Sequence, residues 1–350
     1  QLHVLGIFAF MNPVINALMY IVVAILLLVG SYEAGSGKTT PGNIMAAITY
    51  TTQLLNGILM LAMLFQNISR GIASWKRVKE VLHSEPELKD GDFEGETKRQ
   101  GEIEFRDVSF AYPGSSQLIL DHINLTVHQG ETLAIMGATG CGKTSLIHLI
   151  PRFYDVTEGT VFVDGIDVRK YRQKALREKI SMVLQKSELF RTTISENIAW
   201  GAPGAALEMI RTAAVTAQAD NFITSVPDSY HTVVAERGMS LSGGQKQRIS
   251  IARAVLKPAE ILIFDDSTSA LDLKTEANLY GALEKSYPQS TKIIIAQRIA
   301  SVRRADRIVV LENGKIAACG SHEELMKSCE AYQDIYHSQI GEGDENHEYE

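Results

Sequence analysis

The densest chemistry in this chain lies in one unbroken stretch, Gly137-Ala138-Thr139-Gly140-Cys141-Gly142-Lys143-Thr144, followed by Ser145. The spacing is Gly-x-x-x-x-Gly-Lys-Thr, which suits a polyphosphate. Glycines let backbone N–H groups turn toward phosphate oxygens, and the start of the following helix adds partial positive charge. Lys143 reaches the β- and γ-phosphates of a nucleotide, and the Thr144 hydroxyl is a ligand for Mg²⁺. A carboxylate is the expected second anchor for that ion. Ile261-Leu-Ile-Phe264-Asp265 is an apolar run ending in Asp, as a buried parallel strand delivering Asp265 to its C-terminal edge would read.

A third cluster is Leu241-Ser242-Gly243-Gly244-Gln245. Taken alone, Ser-Gly-Gly reads as a helix cap whose first backbone donors could meet an anion. In its order along the chain it resembles the signature motif of the ATP-binding cassette (ABC) transporters, and the resemblance covers nearly the whole chain. It implies ATP and Mg²⁺ as cofactors. Other positions then take roles by resemblance. Tyr112 matches the aromatic residue that stacks on adenine, and Gln185 the glutamine that contacts Mg²⁺ and senses the membrane domain. Glu236-Arg-Gly238 matches the exporter segment before the signature, and Asp272, in Ser269-Ala-Leu-Asp272, the loop that crosses to a partner cassette. In this family each ATP lies between one chain's phosphate loop and the other's signature, so Ser242, Gly243, Gly244 and Gln245 would complete a partner's site.

The sequence departs from the family at the catalytic positions. Asp266 stands where the family has Glu, and Gln297, in Ile-Ile-Ile-Ala-Gln-Arg, stands where it has His. Asp is shorter by one carbon–carbon bond, about 1.5 Å, and a misplaced general base costs ~10²–10⁴-fold. Gln can donate to a phosphate but carries no charge and shuttles no proton. Asp266, Gln297 and Lys143 are therefore the catalytic set of a site that binds ATP and hydrolyses it poorly. The combination resembles the degenerate-site subunit of a heterodimeric bacterial exporter. A homodimer with a slow Asp-based site and a non-transporting regulatory module are the alternatives. Cys141, inside the loop, is a small residue that fits the turn, with a thiol that ATP should protect.

The elements that must hold these residues divide the chain. Glu102–Phe105, Leu125–Val127 and Thr132–Met136 read as strands, and Ser145–Ile150 opens an apolar-periodic helix. The expected fold is all-α transmembrane helices joined to an α/β phosphate-loop NTPase, the resemblance implying a RecA-like core, an antiparallel β-subdomain and an α-helical subdomain. Long apolar runs are confined to the first third. Residues of about 5–30 and 44–68 each read as a membrane span. Pro13 kinks or starts the first, and Thr49, Thr51, Thr52, Gln53, Asn56 and Gln66 make the second too polar to face lipid all round; packing and cavity lining both remain open for them. Residues 1–68 are then the end of a transmembrane domain, 69–100 a cytosolic link, 101–340 the cassette and 341–350 a disordered acidic tail. Arg70, Lys76, Arg77 and Lys79 place the link in the cytosol and the loop 31–43 outside the plasma membrane. That loop holds a decoy, Gly35–Thr39. Tyr32 occupies the position of the first phosphate-loop glycine, and no strand precedes it.

Composition sets the remaining bounds. A net charge of −7 argues against nucleic acid as a partner. Three cysteines without ligand spacing indicate free thiols. The chain begins with Gln1, and the absence of four earlier spans reads as a fragment of a six-span half-transporter. A second half-transporter, membrane lipid, and a drug, lipid or other amphipathic substrate are the partners the resemblance implies.

Overall fold

The computed structural model describes residues 2–95, 97, 98 and 100–340; the acidic tail lies outside the described residues. The chain divides into two compact units, one up to Glu87 and one from Leu88 onward.

The first unit is a helical hairpin, α1 (Leu2–Gly35) and α2 (Pro41–Leu82). Both are long and apolar enough to cross a membrane, the first over Pro13–Gly35. The helix α1 itself continues past the apolar run, through Ser31, Tyr32 and Glu33. Pro13 sits inside α1, and no break falls there. The helices approach at Gly30, where a Cβ would come within 2.9 Å of the Ile44 side chain. A small residue thus lets the helices close on each other. Thr49, Thr51 and Thr52 donate to the carbonyls of Met45, Ala47 and Ile48 at 2.8 Å each, so their hydroxyls are satisfied within α2. The Gly35–Thr39 decoy ends α1 as a turn. Gly37 has φ +74°, and its N–H bonds the Ala34 carbonyl. The link is not a separate coil at its start. α2 runs unbroken through Arg70, Lys76 and Lys79, because these charges change the hydropathy without lowering helix propensity.

The second unit has two sheets. The antiparallel one contains β1 (Ile103–Phe110), β2 (Leu120–Val127), β4 (Glu158–Val163) and β5 (Ile166–Asp167), ordered β2-β1-β4-β5. The other is ordered β10-β9-β3-β8-β7-β6. It is built from β3 (Thr132–Met136), β6 (Ile180–Val183), β7 (Ile261–Asp265), β8 (Thr291–Ile295), β9 (Arg307–Glu312) and β10 (Lys315–Gly320). All its neighbours are parallel except β9 and β10. β3 and β7 have the ranges expected from sequence; β1 and β2 are longer.

The central strands are buried on both faces, so they read as continuous apolar runs. Leu133, Ile135, Ile261, Ile263, Ile293 and Ile295 face a core shared with the antiparallel sheet and with α3 (Lys143–Leu149). Their alternates Ala134, Met136, Leu262, Phe264 and Ile294 face a helical core. That core draws on α5 (Ile194–Ala199), α6 (Leu207–Thr216), α7 (Asp220–Ser225), α8 (Gly243–Leu256) and α9 (Leu273–Ser286). The short α4 (Gln173–Lys179) precedes β6. α10 (Ile299–Val302) follows β8, and α11 (His322–Ser328) and α12 (Glu330–Ile340) end the described chain.

Candidate functional site

The parallel order β3-β8-β7-β6 decides which loops meet. Each strand delivers its following residue to the same edge of the sheet, the usual place for a ligand in such folds. The edge therefore collects the Gly137 loop after β3, Gln297 after β8, Asp265 and Asp266 at the end of β7, and Gln185 after β6. These residues line a cavity of about 310 Å³ together with Tyr112, Ile119, Thr139, Gly140, Gly142, Lys143, Thr144 and Ser145.

The loop needs its glycines. Gly137 has φ +147°, and a Cβ there would lie 2.2 Å from the Leu311 carbonyl oxygen. Gly142 caps α3 with φ +105° and would drive a Cβ to within 2.8 Å of Leu120. Only glycine combines these backbone angles with such close approach. The Lys143 ammonium donates to the Gly137 and Ala138 carbonyls at 2.8 Å each, curling over the loop. Cys141 is buried, its sulfur 3.8 Å from Lys143 Nζ.

Thr144 Oγ1 donates to Asp265 Oδ1 at 3.2 Å. Asp265 is only 2 % exposed. Burial raises its pKa above the usual carboxylate range, the neighbouring Asp266 adds to the rise, and Thr144 and Lys143 oppose it. Asp265, the Thr144 hydroxyl and the Gln185 amide are hard oxygen donors facing one cavity, which fits Mg²⁺. Among the described residues no cluster of three His, Cys, Asp or Glu could hold a metal alone. Few protein ligands are what Mg²⁺ shared with phosphates requires.

Asp266 has a left-handed backbone, φ +45°, and its N–H bonds the Ile295 carbonyl at 3.0 Å. Its Oδ2 accepts from Gln297 Nε2 at 3.0 Å and from Gln185 Nε2 at 3.4 Å. One carboxylate thus gathers both amides. Tyr112 shares a hydrogen bond with Ser145 Oγ at 2.8 Å, and the Tyr154 ring meets it edge-on at 5.1 Å.

The remaining predicted residues lie elsewhere. Ser242 caps α8 in a reciprocal box: its hydroxyl accepts from the Gln245 N–H at 3.3 Å, and Gln245 Oε1 accepts from the Ser242 N–H at 2.9 Å. Asp272 caps α9 by accepting from the Thr275 N–H at 2.9 Å. Neither Ser242–Gln245 nor Asp272 lines the Lys143 cavity. Glu236–Gly238 is a single 3₁₀ turn with Arg237 at φ +52°.

Sequence reasoning passed over the residues that tie these regions together. Gln247 accepts from the Ala270 N–H at 3.0 Å and donates to Ser269 Oγ at 3.2 Å. Arg298 donates to the Leu271 and Ser269 carbonyls at 2.8 and 3.0 Å. Both stand beside quoted motifs, yet their partners are distant in sequence and no spacing signals them.

Residues 120–269 match the family described as ABC transporter. This chain carries an ABC transporter ATPase domain. It is 42% identical over 339 residues to the uncharacterized ABC transporter ATP-binding protein YfiB of Bacillus subtilis (strain 168), covering 96% of this chain and 58% of that protein. It is also 42% identical over 331 residues to an ATP-dependent lipid A-core flippase of Desulfotalea psychrophila, covering 94% and 58%. A putative multidrug export ATP-binding/permease protein, YgaD of Bacillus subtilis (strain 168), is 41% identical over 324 residues, covering 92% and 56%. Among solved structures, a bacterial Atm1-family ABC exporter with ATP bound superposes with a TM-score of 0.80 at 33% identity, covering 96% of this chain and 59% of that one. The chain thus spans a little over half the length of the curated relatives it matches.

Proposed function

We propose that this chain is part of a membrane exporter subunit. The subunit couples ATP binding to outward movement of a lipid, drug or other amphipath, and pairs with a second half-transporter in the plasma membrane. The relatives described as a lipid A-core flippase and as a putative multidrug export protein support the substrate class. On this reading residues 1–68 end the transmembrane domain, 69–100 form the cytosolic link, 101–340 are the ATP-binding domain and 341–350 a tail.

Gly137–Ser145 would hold the phosphates of ATP, Lys143 would supply its ammonium to them in place of the Gly137 and Ala138 carbonyls it now meets, and Tyr112 would offer its ring to adenine. Thr144, Asp265 and Gln185 would hold Mg²⁺, which when bound would supply Lewis-acid charge stabilisation to the phosphates. Asp266 is the base position. Its carboxylate, shortened by one carbon and held by the Gln297 and Gln185 amides at 3.0 and 3.4 Å, is the single observation that carries a holding role for this site. A base engaged by two amide donors is poorly placed to take a proton from water. Gln297 keeps a neutral donor near the γ-phosphate and supplies no imidazolium charge. Ser242–Gln245 and Asp272 do not line this cavity and on this reading serve the partner's ATP. The partner is therefore a different subunit, which brings the competent base.

The test uses the assembled pair. Asp266→Asn is expected to leave most steady-state ATPase activity. Replacing Gly243 and Gly244 by Val is expected to remove most of it. Loss of turnover on Asp266→Asn would overturn the division of labour and favour a homodimer with a slow Asp-based site.

A further inference from the structure

Asp266 belongs to the chain's own nucleotide cavity, whereas Asp272 belongs to the surface offered to the partner. Five residues of loop, Ser267 to Leu271, separate them, and that loop makes few bonds of its own. It is held from outside. Arg298 Nη1 donates to the Leu271 carbonyl at 2.8 Å and Nη2 to the Ser269 carbonyl at 3.0 Å. Ser269 Oγ in turn donates to the Asp266 carbonyl at 3.1 Å. Arg298 directly follows Gln297, whose amide holds the Asp266 carboxylate. A closed ring of bonds therefore joins the Asp266 side chain, Gln297, Arg298 and the loop that leads to Asp272.

The ring is anchored at two further points. Glu276, on α9, is 3 % exposed. Its Oε2 lies 3.5 Å from Arg298 Nη1, and its Oε1 accepts from Thr268 and from Ser301. The backbone around Arg298 is fixed as well. Gln339 of α12 accepts from the Ile299 N–H at 2.9 Å and donates to the Gln297 carbonyl at 2.6 Å. The guanidinium is planar and forked, so two of its nitrogens grip the two carbonyls in a fixed relative direction while one of them also faces a carboxylate.

We infer that Arg298 is a positioning residue that couples the two composite ATP sites, transmitting the state of Gln297 and Asp266 to the partner-facing Asp272 loop. This rests on the proposed pairing of two cassettes. Movement of Gln297 toward or away from a γ-phosphate shifts Arg298 with it, since the two are adjacent and Gln339 bridges the backbone on both sides of Arg298, so the segment moves as one unit. The shift reaches Ser269 and Leu271 through two hydrogen bonds, and Gln247 carries it on to the helix that begins at Ser242. Arg298 touches no reacting atom. Its effect is on geometry at the second site, where a misplacement of about 1 Å can cost ~10²-fold in rate.

The experiment is a double-mutant cycle on the intact two-subunit transporter, reading ATPase kcat and KM. Arg298→Met is expected to lower kcat by about 10-fold while KM stays within ~3-fold, because nucleotide binding does not use Arg298. Arg298→Lys is expected to recover part of kcat by holding one carbonyl. Asp272→Ala lowers kcat too. The Arg298→Met/Asp272→Ala pair is expected to be no slower than the worse single variant, because the arginine acts through that loop. The inference is overturned by an Arg298→Met kcat within about twofold of the unmodified protein, or by losses that multiply in the pair. If Arg298→Met does not assemble, Arg298→Lys takes its place in the same cycle. The outcome is separable from the division of labour, which Asp266→Asn alone decides.

Discussion

The phosphate-loop cavity and the Ser242–Asp272 surface are both built at the starts of helices, yet they are finished to different degrees. Around Lys143 the chain supplies a concave site: a buried carboxylate, a hydroxyl 3.2 Å from it and an ammonium curled onto loop carbonyls. Around Ser242 it supplies donors that line no part of the Lys143 cavity, with Ser242 and Asp272 spending their side chains on caps. On the proposed reading the first region is a binding site that lacks a good base. On the same reading the second is half of a site, held in shape for a ligand that another chain brings. The contrast explains how substitutions can separate binding from turnover.

Breaking the second region has the largest expected effect. Gly244 sits so close to the Ala270 carbonyl that an added Cβ would lie 2.9 Å from it. Gly244→Val should therefore displace both the signature helix and the loop toward Asp272. Losing such preorganised donors typically costs ~10²–10³-fold. We expect a fall of that order in ATPase of the assembled transporter, with nucleotide affinity of the chain's own cavity unchanged in equilibrium titration. Lys143→Met breaks the first region instead. A charge-assisted contact is worth about 1.5–3 kcal/mol, so the chain's own affinity for MgATP is expected to weaken by roughly 10–100-fold. If both variants impair affinity equally, the two regions are not the separate halves described above.

A gain of function sharpens the comparison. Asp266→Glu combined with Gln297→His restores the longer carboxylate and the imidazole. With the partner's base removed, the pair is expected to raise residual ATPase by about 10-fold, within the usual range for a general base. Either change alone should give less, since a longer carboxylate still held by the Gln297 amide gains little. No increase in the double variant would mean that the cavity is limited by something other than these two side chains.

How much of this was legible depends on how local each feature is. Gly137–Thr144 and the Ile261–Asp265 strand could be read because the residues that act are contiguous and the backbone itself does much of the work. Ser242–Gln245 was legible both as a cap and as a signature, and only the cap is visible in a single chain. Arg298, Gln247, Glu276 and Gln339 were not legible. Their roles arise from contacts 22 to 42 residues away along the chain, made by polar side chains of ordinary type. α2 runs beyond the apolar span read over residues 44–68 for a different reason. Hydropathy marks where a helix leaves an apolar environment, whereas hydrogen bonding continues until a residue such as His83 departs from helical angles.

The smallest expected effect concerns Asp265, and its sign is informative. Burial raises this carboxyl above its ordinary range. Between the unfolded and the raised folded pKa the folded chain binds more protons, so stability falls as pH rises through that window. Above it, ionised Asp265 costs the nucleotide-free fold some stability. Asp265→Asn removes the charge while leaving an oxygen to accept from Thr144. Without nucleotide, the variant is expected to melt slightly higher than the unmodified chain near neutral pH and to lose the fall in stability across the acidic window. With MgATP the order should reverse. A ligand at about 100 times its Kd adds ~2.7 kcal/mol to the folded state, and the Asn variant forfeits the part of this that depends on Mg²⁺. Melting curves over a pH series, with and without MgATP, read both signs. A variant that melts lower in both conditions would show that the carboxylate supports the fold. In that case the strain at Asp265 would not be the feature that prepares this cavity, and not the Ser242 surface, for a cation.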